Sequence, residues 1–273
     1  MKVGIIGAGT MGAGIAQAFA MTDGYEVCLC DIKQEFADGG KAKILKNLNF
    51  LVGKEKITQE KADAIAAKIA TGLKDLVIEV CPENMAIKKQ TFAELQQIVK
   101  KDCIFASNTS SLSITEMGNG LDRPLIGMHF FNPADRMKLV EVIAGANTPA
   151  DLVEKIKAIA TEIGKTPVEV NEAAGFVVNR ILIPMINEAI NVYAAGVASV
   201  ADIDVAMQLG ANHPMGPLAL GDYIGLDIVL AIMEVIYAET GDSKYAPAPL
   251  LRKMVRAGKL GKKTKEGFYN YNK

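Results

Sequence analysis

The chain has 273 residues, half of them hydrophobic, and a formal net charge of -1. This length allows one large domain or two moderate ones with a substantial core. The balanced charge argues against a basic nucleic-acid-binding surface, and no apolar run approaches the length of a membrane span.

Short apolar runs alternate with helical patterns through the first half of the chain. The runs that we interpret as strands are residues 2–6, 26–30, 75–80, 103–107, 125–130, 138–143 and 166–170. A helix between Pro149 and Gly164 precedes the last run. This alternation predicts an α/β fold, a Rossmann-type doubly wound and mainly parallel sheet. The apolar start, MKVGIIGAGTMG, is rich in glycine and lacks an export cleavage pattern, so we expect a cytoplasmic protein.

About forty residues separate the second and third runs, too many for a single crossover helix. Their pattern predicts a helical-hairpin insertion over about residues 35–70, with two helices joined near Gly53. The segment carries Lys41, Lys43, Lys46, Lys54 and Lys56. On these residues alone, a solvated lysine-rich face is favoured over a binding function.

The pattern changes at about Gly175, where long apolar-periodic stretches without strand-like alternation begin. The segment NEAAG (171–175) marks this change. We assign residues 1–178 to the sheet domain and 179–273 to an all-α C-terminal domain. The apolar character of its helices predicts a subunit interface, hence a homodimer or higher homo-oligomer, although a tightly packed bundle explains it almost as well.

A glycine-rich turn follows the first strand and opens a helix. Gly7, Gly9 and Gly12 have the GxGxxG spacing that binds a dinucleotide pyrophosphate, and Asp31 ends the next strand. An acid there accepts hydrogen bonds from the adenosine ribose and repels a 2′-phosphate, which favours NAD over NADP, although Lys33 weakens that preference. A glycine turn without a dinucleotide is the alternative; an FAD site would normally need more sequence.

His129 ends an apolar run, and Glu141 lies inside the next one. A histidine at a strand end beside the cofactor can transfer the proton of an alcohol, and a carboxylate would fix its tautomer. A core histidine is nearly as compatible with the position. Glu141 favours the catalytic interpretation because a carboxylate in an apolar run is costly unless paired.

The remaining candidate metal ligands and nucleophiles favour structural interpretations. The chain has four cysteines, and no two of them have the CxxC spacing. They are Cys28, Cys30, Cys81 and Cys103, and we expect them to be reduced, buried thiols. His213 precedes a proline without an obvious carboxylate partner and is interpreted as structural. The acidic residues Asp202 and Asp204 are expected to cap a helix rather than to bind metal.

Seven motifs together resemble a known family. They are GAGTMGAGIA (7–16), ASNTSSL (106–112), GMHFFNP (127–133), KLVEV (138–142), GFVVNR (175–180), HPMGPL (213–218) and GKKTKEGFY (261–269). In this order they resemble the L-3-hydroxyacyl-CoA dehydrogenases, most closely the stand-alone bacterial 3-hydroxybutyryl-CoA dehydrogenases. The resemblance covers essentially the whole chain, and HFFNP with GFVVNR is its specific part.

The resemblance implies a role for each matching residue. His129 would be the acid/base, Glu141 its orienting partner, Ser110 the donor to the substrate's 3-oxygen, and Asn179 a substrate-positioning residue. It also implies a set of cofactor-binding residues, which are Gly7, Gly9, Thr10, Met11, Gly12, Asp31, Glu83, Lys88, Ser110, Asn132 and Lys263.

The resemblance also changes the interpretation of the lysine-bearing hairpin. It corresponds to the family's coenzyme A-contacting hairpin, with Lys54 and Asn47 as substrate-binding residues, and its cationic charge suits the CoA phosphates. Asn47 replaces the serine of some relatives, and Lys265 replaces the glycine of others, which puts individual CoA contacts in doubt.

The implied activity is NAD-dependent interconversion of (S)-3-hydroxybutyryl-CoA and acetoacetyl-CoA, without a metal. The helical domain would close the substrate cleft, and crotonase and thiolase are possible pathway partners in butyrate or fatty acid metabolism. One alternative is a dehydrogenase of a free 3-hydroxy acid, which would usually need a lysine base instead. The other is a non-catalytic dinucleotide-binding protein of the same fold.

Overall fold

The computed structural model describes residues 1–31, 33–69 and 75–272, which form two compact units, Met1–Ala173 and Ala174–Lys273. The sequence analysis placed the domain boundary after residue 178, whereas the structure divides the chain after Ala173. Ala174 already packs against the core of the second unit, and Gly175 lies against Ile236 of that unit.

A seven-stranded sheet forms the centre of the first unit. Its strands are β1 (Lys2–Ile6), β2 (Glu26–Cys30), β3 (Leu76–Glu79), β4 (Ile104–Ser107), β5 (Leu125–Phe130), β6 (Leu139–Ala144) and β7 (Thr166–Asn171). Their order is β2-β1-β3-β4-β5-β6-β7. Among these strands, as far as the structure describes them, β5 and β6 pair antiparallel and the other neighbours pair parallel. This confirms the predicted Rossmann-type, mainly parallel sheet.

The antiparallel step has a local cause. A short loop, residues 131–138, joins β5 to β6 in place of a crossover helix, so the chain reverses direction. The carboxyl ends of β1 to β5 therefore share one sheet edge with the start of β6.

In the parts of the chain that the structure describes, six helices accompany the sheet: α1 (Thr10–Ala20), α2 (Gln34–Gly53), α3 (Gln59–Ala67), α4 (Met85–Ile98), α5 (Ile114–Gly118) and α6 (Ala150–Glu162). Helices α2 and α3 form the expected hairpin insertion, and α2 ends at Gly53. The expected last residue of the insertion, Ala70, lies outside the described residues. The side chain of Thr58 caps α3 by accepting a hydrogen bond from Lys61 N.

The central strands β3, β4 and β5 are buried along their whole length. Such strands are mainly apolar because both faces of the sheet are covered. The polar residues Glu79, Ser107 and His129 are therefore exceptions, and each needs a hydrogen-bonding partner in the interior. All three lie at or near the carboxyl ends of their strands.

The second unit contains α7 (Val178–Ala194), α8 (Val200–Gly210), α9 (Pro217–Ile224), α10 (Leu226–Thr240) and α11 (Pro249–Arg256). Its core includes Ile186, Val229 and Met233, each fully buried. Within the described ranges, no helix is both long enough and apolar enough to cross a membrane.

Two buried aspartates organise the second unit. The Asp204 carboxylate accepts hydrogen bonds from Leu218 N at 2.8 Å and Ala219 N at 2.9 Å, so it caps the start of α9. Asp222 accepts hydrogen bonds from Phe268 N at 3.0 Å and from other groups of the C-terminal segment. Burial raises the pKa of Asp222. These contacts hold the C-terminal segment on the helical unit.

Candidate active site

The glycine turn lies at the carboxyl end of β1. Gly7 has φ +108°, and a Cβ there would lie 2.6 Å from Val80 O. A Cβ on Gly12 would lie 1.8 Å from Gly7 O, whereas a Cβ on Gly9 would have no atom within 4 Å. Gly7 and Gly12 are thus required by the fold, whereas the open space at Gly9 forms a cradle that would admit a pyrophosphate.

The first turn of α1 begins at this cradle. Gly9 is the N-cap residue, and no side chain among the described residues caps the helix. The backbone N–H groups of Thr10 and Met11, together with the helix dipole, therefore suit a phosphate group. The residues present fit a dinucleotide at this edge.

Asp31 follows β2, directly beside the glycine turn. Its Oδ2 accepts a hydrogen bond from Ala8 N at 2.6 Å, and Gly7 N donates to Cys30 O at 2.8 Å. The acid therefore also holds the turn in place, a function that the spacing alone did not predict.

His129 and Glu141 face each other across the antiparallel strands. They are register partners in β5 and β6, and His129 Nδ1 lies 2.8 Å from Glu141 Oε2. The side chains are 5% and 1% exposed, so the pair is removed from bulk water. The Phe131 ring packs against the imidazole, with the ring centroids 4.5 Å apart. A carboxylate at Nδ1 fixes the imidazole tautomer and can stabilise its protonated form.

The loop after β4 carries Ser110 and is held by Glu83. Glu83 Oε1 accepts hydrogen bonds from Thr109 Oγ1 at 2.7 Å, Ser110 N at 2.8 Å and Ser111 N at 3.0 Å. Lys88, only 1% exposed, lies 3.5 Å from Glu83 Oε2. The structure therefore brings the predicted residues Glu83, Lys88 and Ser110 together at the carboxyl ends of β3 and β4.

The loop between β5 and β6 carries Asn132, which precedes a cis proline, Pro133. Lys165 is buried and donates hydrogen bonds to Ala134 O at 2.6 Å and Met137 O at 2.9 Å. Burial lowers the pKa of Lys165. The sequence analysis missed this lysine, which fixes the loop.

The hairpin insertion meets the same loop through Asn47. Its amide nitrogen donates to Gln17 Oε1 at 2.9 Å and to Asp135 Oδ2 at 3.0 Å. The five predicted lysines of the hairpin are all exposed, and Lys54 lies over the Phe50 ring at 5.8 Å from its centroid. Asn47 thus connects the cationic hairpin to the cofactor side of the unit.

Two predicted site residues belong to the second unit. Asn179 is the second residue of α7 and is 9% exposed. Lys263 Nζ donates to Asp227 Oδ2 at 2.6 Å.

The four cysteines lie in or near strands. Cys28 and Cys103 are buried, and Cys30 and Cys81 are half-buried. Burial raises the pKa of the Cys103 thiol to about 11, which keeps it protonated at neutral pH. In the described part of the chain, no group of three or more His, Cys, Asp and Glu side chains is arranged to hold a metal ion.

Comparison with known families assigns both units. Residues 2–173 match the 3-hydroxyacyl-CoA dehydrogenase NAD binding domain, and residues 175–271 match the C-terminal domain of the same family. The chain belongs to the 3-hydroxyacyl-CoA dehydrogenase family. It is an NAD-dependent enzyme of the 3-hydroxyacyl-CoA dehydrogenase type, with a CoA thioester as substrate.

Individual relatives span the whole chain. A 3-hydroxybutyryl-CoA dehydrogenase of Clostridioides difficile is 55% identical, with 100% of each chain covered. A mitochondrial hydroxyacyl-coenzyme A dehydrogenase of Sus scrofa is 39% identical, covering 98% of this chain and 90% of its own. The crystal structure of (S)-3-hydroxybutyryl-CoA dehydrogenase from Ralstonia eutropha has a TM-score of 0.95 at 48% identity, covering 100% of this chain and 99% of its own.

The sequence analysis also missed Glu79 and Ser107, buried beside Lys88. Glu79 is a carboxylate inside the apolar run LVIEV, the same signal that drew attention to Glu141. Applied to every apolar run, that signal would have found it.

Proposed function

We propose that this enzyme interconverts (S)-3-hydroxybutyryl-CoA and acetoacetyl-CoA, with His129 as the acid/base and Glu141 as its orienting partner. The observation that carries the proposal is the buried 2.8 Å contact between His129 and Glu141. This pair lies at the sheet edge that also bears the glycine turn. The 55% identical relative, which is named 3-hydroxybutyryl-CoA dehydrogenase, supports the butyryl substrate.

The side chains of the protein would transfer the proton of the substrate hydroxyl, and the cofactor would take part in the hydride transfer. Bound NAD would supply the acceptor for the hydride of the substrate's C3 in the oxidative direction. Because Glu141 occupies the Nδ1 side, Nε2 of His129 takes the hydroxyl proton, and the Glu141 carboxylate stabilises the imidazolium. In reduction, the same nitrogen returns the proton to the 3-oxygen.

Two polar side chains are proposed to orient the substrate. Ser110 would donate a hydrogen bond to the 3-oxygen, and Asn179 would position the substrate and support the developing charge. Glu83 supports the assignment of Ser110, because it holds the backbone of that residue in place. The proposed cofactor ligands are those that the resemblance implies, from the glycine turn and Asp31 to Lys88, Asn132 and Lys263.

The proposal is tested by NADH oxidation with acetoacetyl-CoA, with free acetoacetate and NADPH as controls. Rapid oxidation only with the CoA ester and NADH supports the proposal. Activity with free acetoacetate would instead indicate a hydroxy-acid dehydrogenase. Tight NADH binding without turnover of either compound would indicate a non-catalytic protein.

Asp31 is proposed to set the preference for NADH. In Asp31→Ser, we expect the ratio of kcat/KM for NADH to that for NADPH to fall at least about tenfold, since a carboxylate no longer repels the 2′-phosphate. The variant also loses the hydrogen bond to Ala8 N. NADH binding should therefore weaken as well. An unchanged ratio would show that another residue sets the preference.

Lys54 is proposed to bind the phosphates of CoA. Lys54→Glu should raise the KM for acetoacetyl-CoA about tenfold and leave kcat nearly unchanged, because a charge contact remote from the reacting carbon contributes uniform binding. Lys61→Glu, which alters a lysine on α3 instead, is the matched control. Acetoacetyl-pantetheine, which lacks the nucleotide phosphates, should show no effect of either change. An equal rise in KM for this truncated substrate would contradict the assignment.

The helical unit is proposed to form the interface of a homodimer. Ile181, Val197 and Leu209 are 69%, 72% and 83% exposed, an unusual exposure for large apolar side chains. Sedimentation equilibrium should give a mass of two or more chains. A mass of one chain at micromolar concentration would contradict this proposal.

A further inference from the structure

The buried ion pair of Glu79 and Lys88 lies between the residues proposed to bind the cofactor. The Glu79 side chain is fully buried and Lys88 is 1% exposed. Glu79 accepts hydrogen bonds from Lys88 Nζ at 2.8 and 3.1 Å, from Ser107 Oγ at 2.7 Å and from Cys81 N at 2.5 Å. One carboxylate thus connects the ends of β3 and β4 with α4.

We propose that Glu79 is a positioning residue for the nicotinamide half of the cofactor, because it holds Lys88 and thereby leaves one oxygen of Glu83 available to accept a hydrogen bond from the cofactor. The inference rests on the proposed function for the place of the nicotinamide beside His129. Glu79 itself is buried and would touch neither cofactor nor substrate.

The hydrogen bonds of Lys88 account for this arrangement. Its ammonium group donates to both carboxylate oxygens of Glu79, at 2.8 and 3.1 Å, and to Cys81 O at 3.1 Å. Glu83 Oε2, at 3.5 Å, lies beyond the usual hydrogen-bond length from Lys88 Nζ. Lys88 and Glu83 therefore attract each other electrostatically, but Lys88 donates no hydrogen bond of ordinary length to Glu83 Oε2.

The two oxygens of Glu83 have different surroundings. Oε1 accepts hydrogen bonds from the hydroxyl and backbone groups of residues 109–111. Within the described ranges, Oε2 accepts none, and the side chain is 39% exposed. Oε2 is therefore suited to a hydroxyl donor that arrives from outside, such as a ribose hydroxyl.

The sheet topology assigns this donor to the nicotinamide half. Asp31 follows β2 and the glycine turn follows β1, so the adenosine and pyrophosphate lie over that side of the sheet. Glu79 ends β3 and Glu83 follows it, on the side of the sheet toward β4 and β5, where His129 lies. A dinucleotide that reaches from Asp31 to His129 must pass Glu83 with its nicotinamide half.

Stability alone gives little reason to bury these charges. A buried ion pair often contributes no more stability than apolar residues of similar volume, whereas loss of one partner leaves an unpaired charge. In Glu79→Gln, Lys88 loses its charged acceptor, and Glu83 Oε2 becomes the nearest carboxylate oxygen. The lysine would then occupy the oxygen that the cofactor needs.

The test compares the binding of NADH and ADP to the whole protein by calorimetry. ADP carries only the adenosine half and probes the glycine turn and Asp31. Glu79→Gln should raise the Kd for NADH about tenfold or more and leave the Kd for ADP within about twofold, since only the nicotinamide half loses a charged hydrogen bond. Glu79→Asp, which keeps the charge but shortens the side chain, should show the same split to a smaller extent.

The matched control is Glu162→Gln. Glu162 accepts a hydrogen bond from Tyr25 OH. Tyr25 precedes β2 and therefore lies at the amino end of that strand, whereas the candidate site lies at the carboxyl ends of the strands. This change should alter neither Kd, whatever it does to the thermal midpoint.

Two results would overturn the inference. One is an unchanged Kd for NADH in Glu79→Gln, and the other is an equal weakening of NADH and ADP, which would indicate a general structural effect. If Glu79→Gln does not fold, Ser107→Ala replaces it in the test. A higher Kd for NADH with an unchanged Kd for ADP supports the inference. Unchanged Kd values, or an equal rise in both, overturn it. Wild-type protein that binds NADH but does not reduce acetoacetyl-CoA would contradict the proposed function, and the NADH and ADP comparison would still test Glu79.

Discussion

His129→Gln is expected to lower kcat for acetoacetyl-CoA reduction at least about a hundredfold, because general acid–base catalysis contributes that much or more. Glutamine is close to histidine in size and polarity, so the variant should fold. The Kd for NADH should remain nearly unchanged, since the proton carrier is not a cofactor ligand in our proposal. Stopped-flow kinetics and NADH fluorescence measure the two quantities separately.

Glu141→Gln provides a graded comparison for this prediction. The amide oxygen can still accept a hydrogen bond at Nδ1, but the charge that stabilises the imidazolium is lost. We therefore expect a smaller kcat loss than in His129→Gln, and the double variant should be little worse than His129→Gln because the two residues act as a unit. Near-normal turnover in His129→Gln would show that another group transfers the proton.

Gly9→Ala and Gly12→Ala are expected to lose NADH binding for different reasons. A Cβ on Gly9 has no atom within 4 Å, so the variant should keep its thermal midpoint. The added methyl group would fill the space proposed for the pyrophosphate, and the Kd for NADH should rise at least about a hundredfold through the loss of backbone contacts to phosphate. Calorimetry against NADH measures this effect.

Gly12→Ala should lose both binding and stability. A Cβ at Gly12 would lie 1.8 Å from Gly7 O, so the turn and α1 must separate, at a cost of about 1–3 kcal/mol or more in the free energy of unfolding. Gly53→Ala is the matched control, because a Cβ there, on the last residue of α2, meets no atom within 4 Å. If Gly9→Ala binds NADH normally, the turn is not the pyrophosphate site.

The strands of the sheet were largely predictable, because each is a short apolar run that can be recognised from its own residues. The runs at 2–6, 26–30 and 125–130 match β1, β2 and β5 residue for residue. The antiparallel direction of β6 was not predicted, because an apolar run has no direction and only the short loop 131–138 decides it. The hairpin insertion was found from its length and helical spacing.

The surroundings of the candidate site were less predictable. Positions in apolar runs and the family motifs both pointed to His129 and Glu141. No role was predicted for Glu79, Ser107 or Lys165, although Ser107 lies within the motif ASNTSSL. Glu79 and Ser107 are 28 positions apart in the chain yet share a hydrogen bond. Such partners are brought together by strand order, which residue patterns do not encode locally.

The His129–Glu141 contact also helps to specify the register in which β5 and β6 pair. A shift of one residue would turn Glu141 to the other face of the sheet and leave its charge without the imidazole. The same shift would turn its buried neighbours Val140 and Val142 to the opposite face. An unpaired buried carboxylate is so costly that such an alignment cannot compete with the native one. The carboxylate that we propose to assist the proton transfer therefore also fixes the register of β5 and β6.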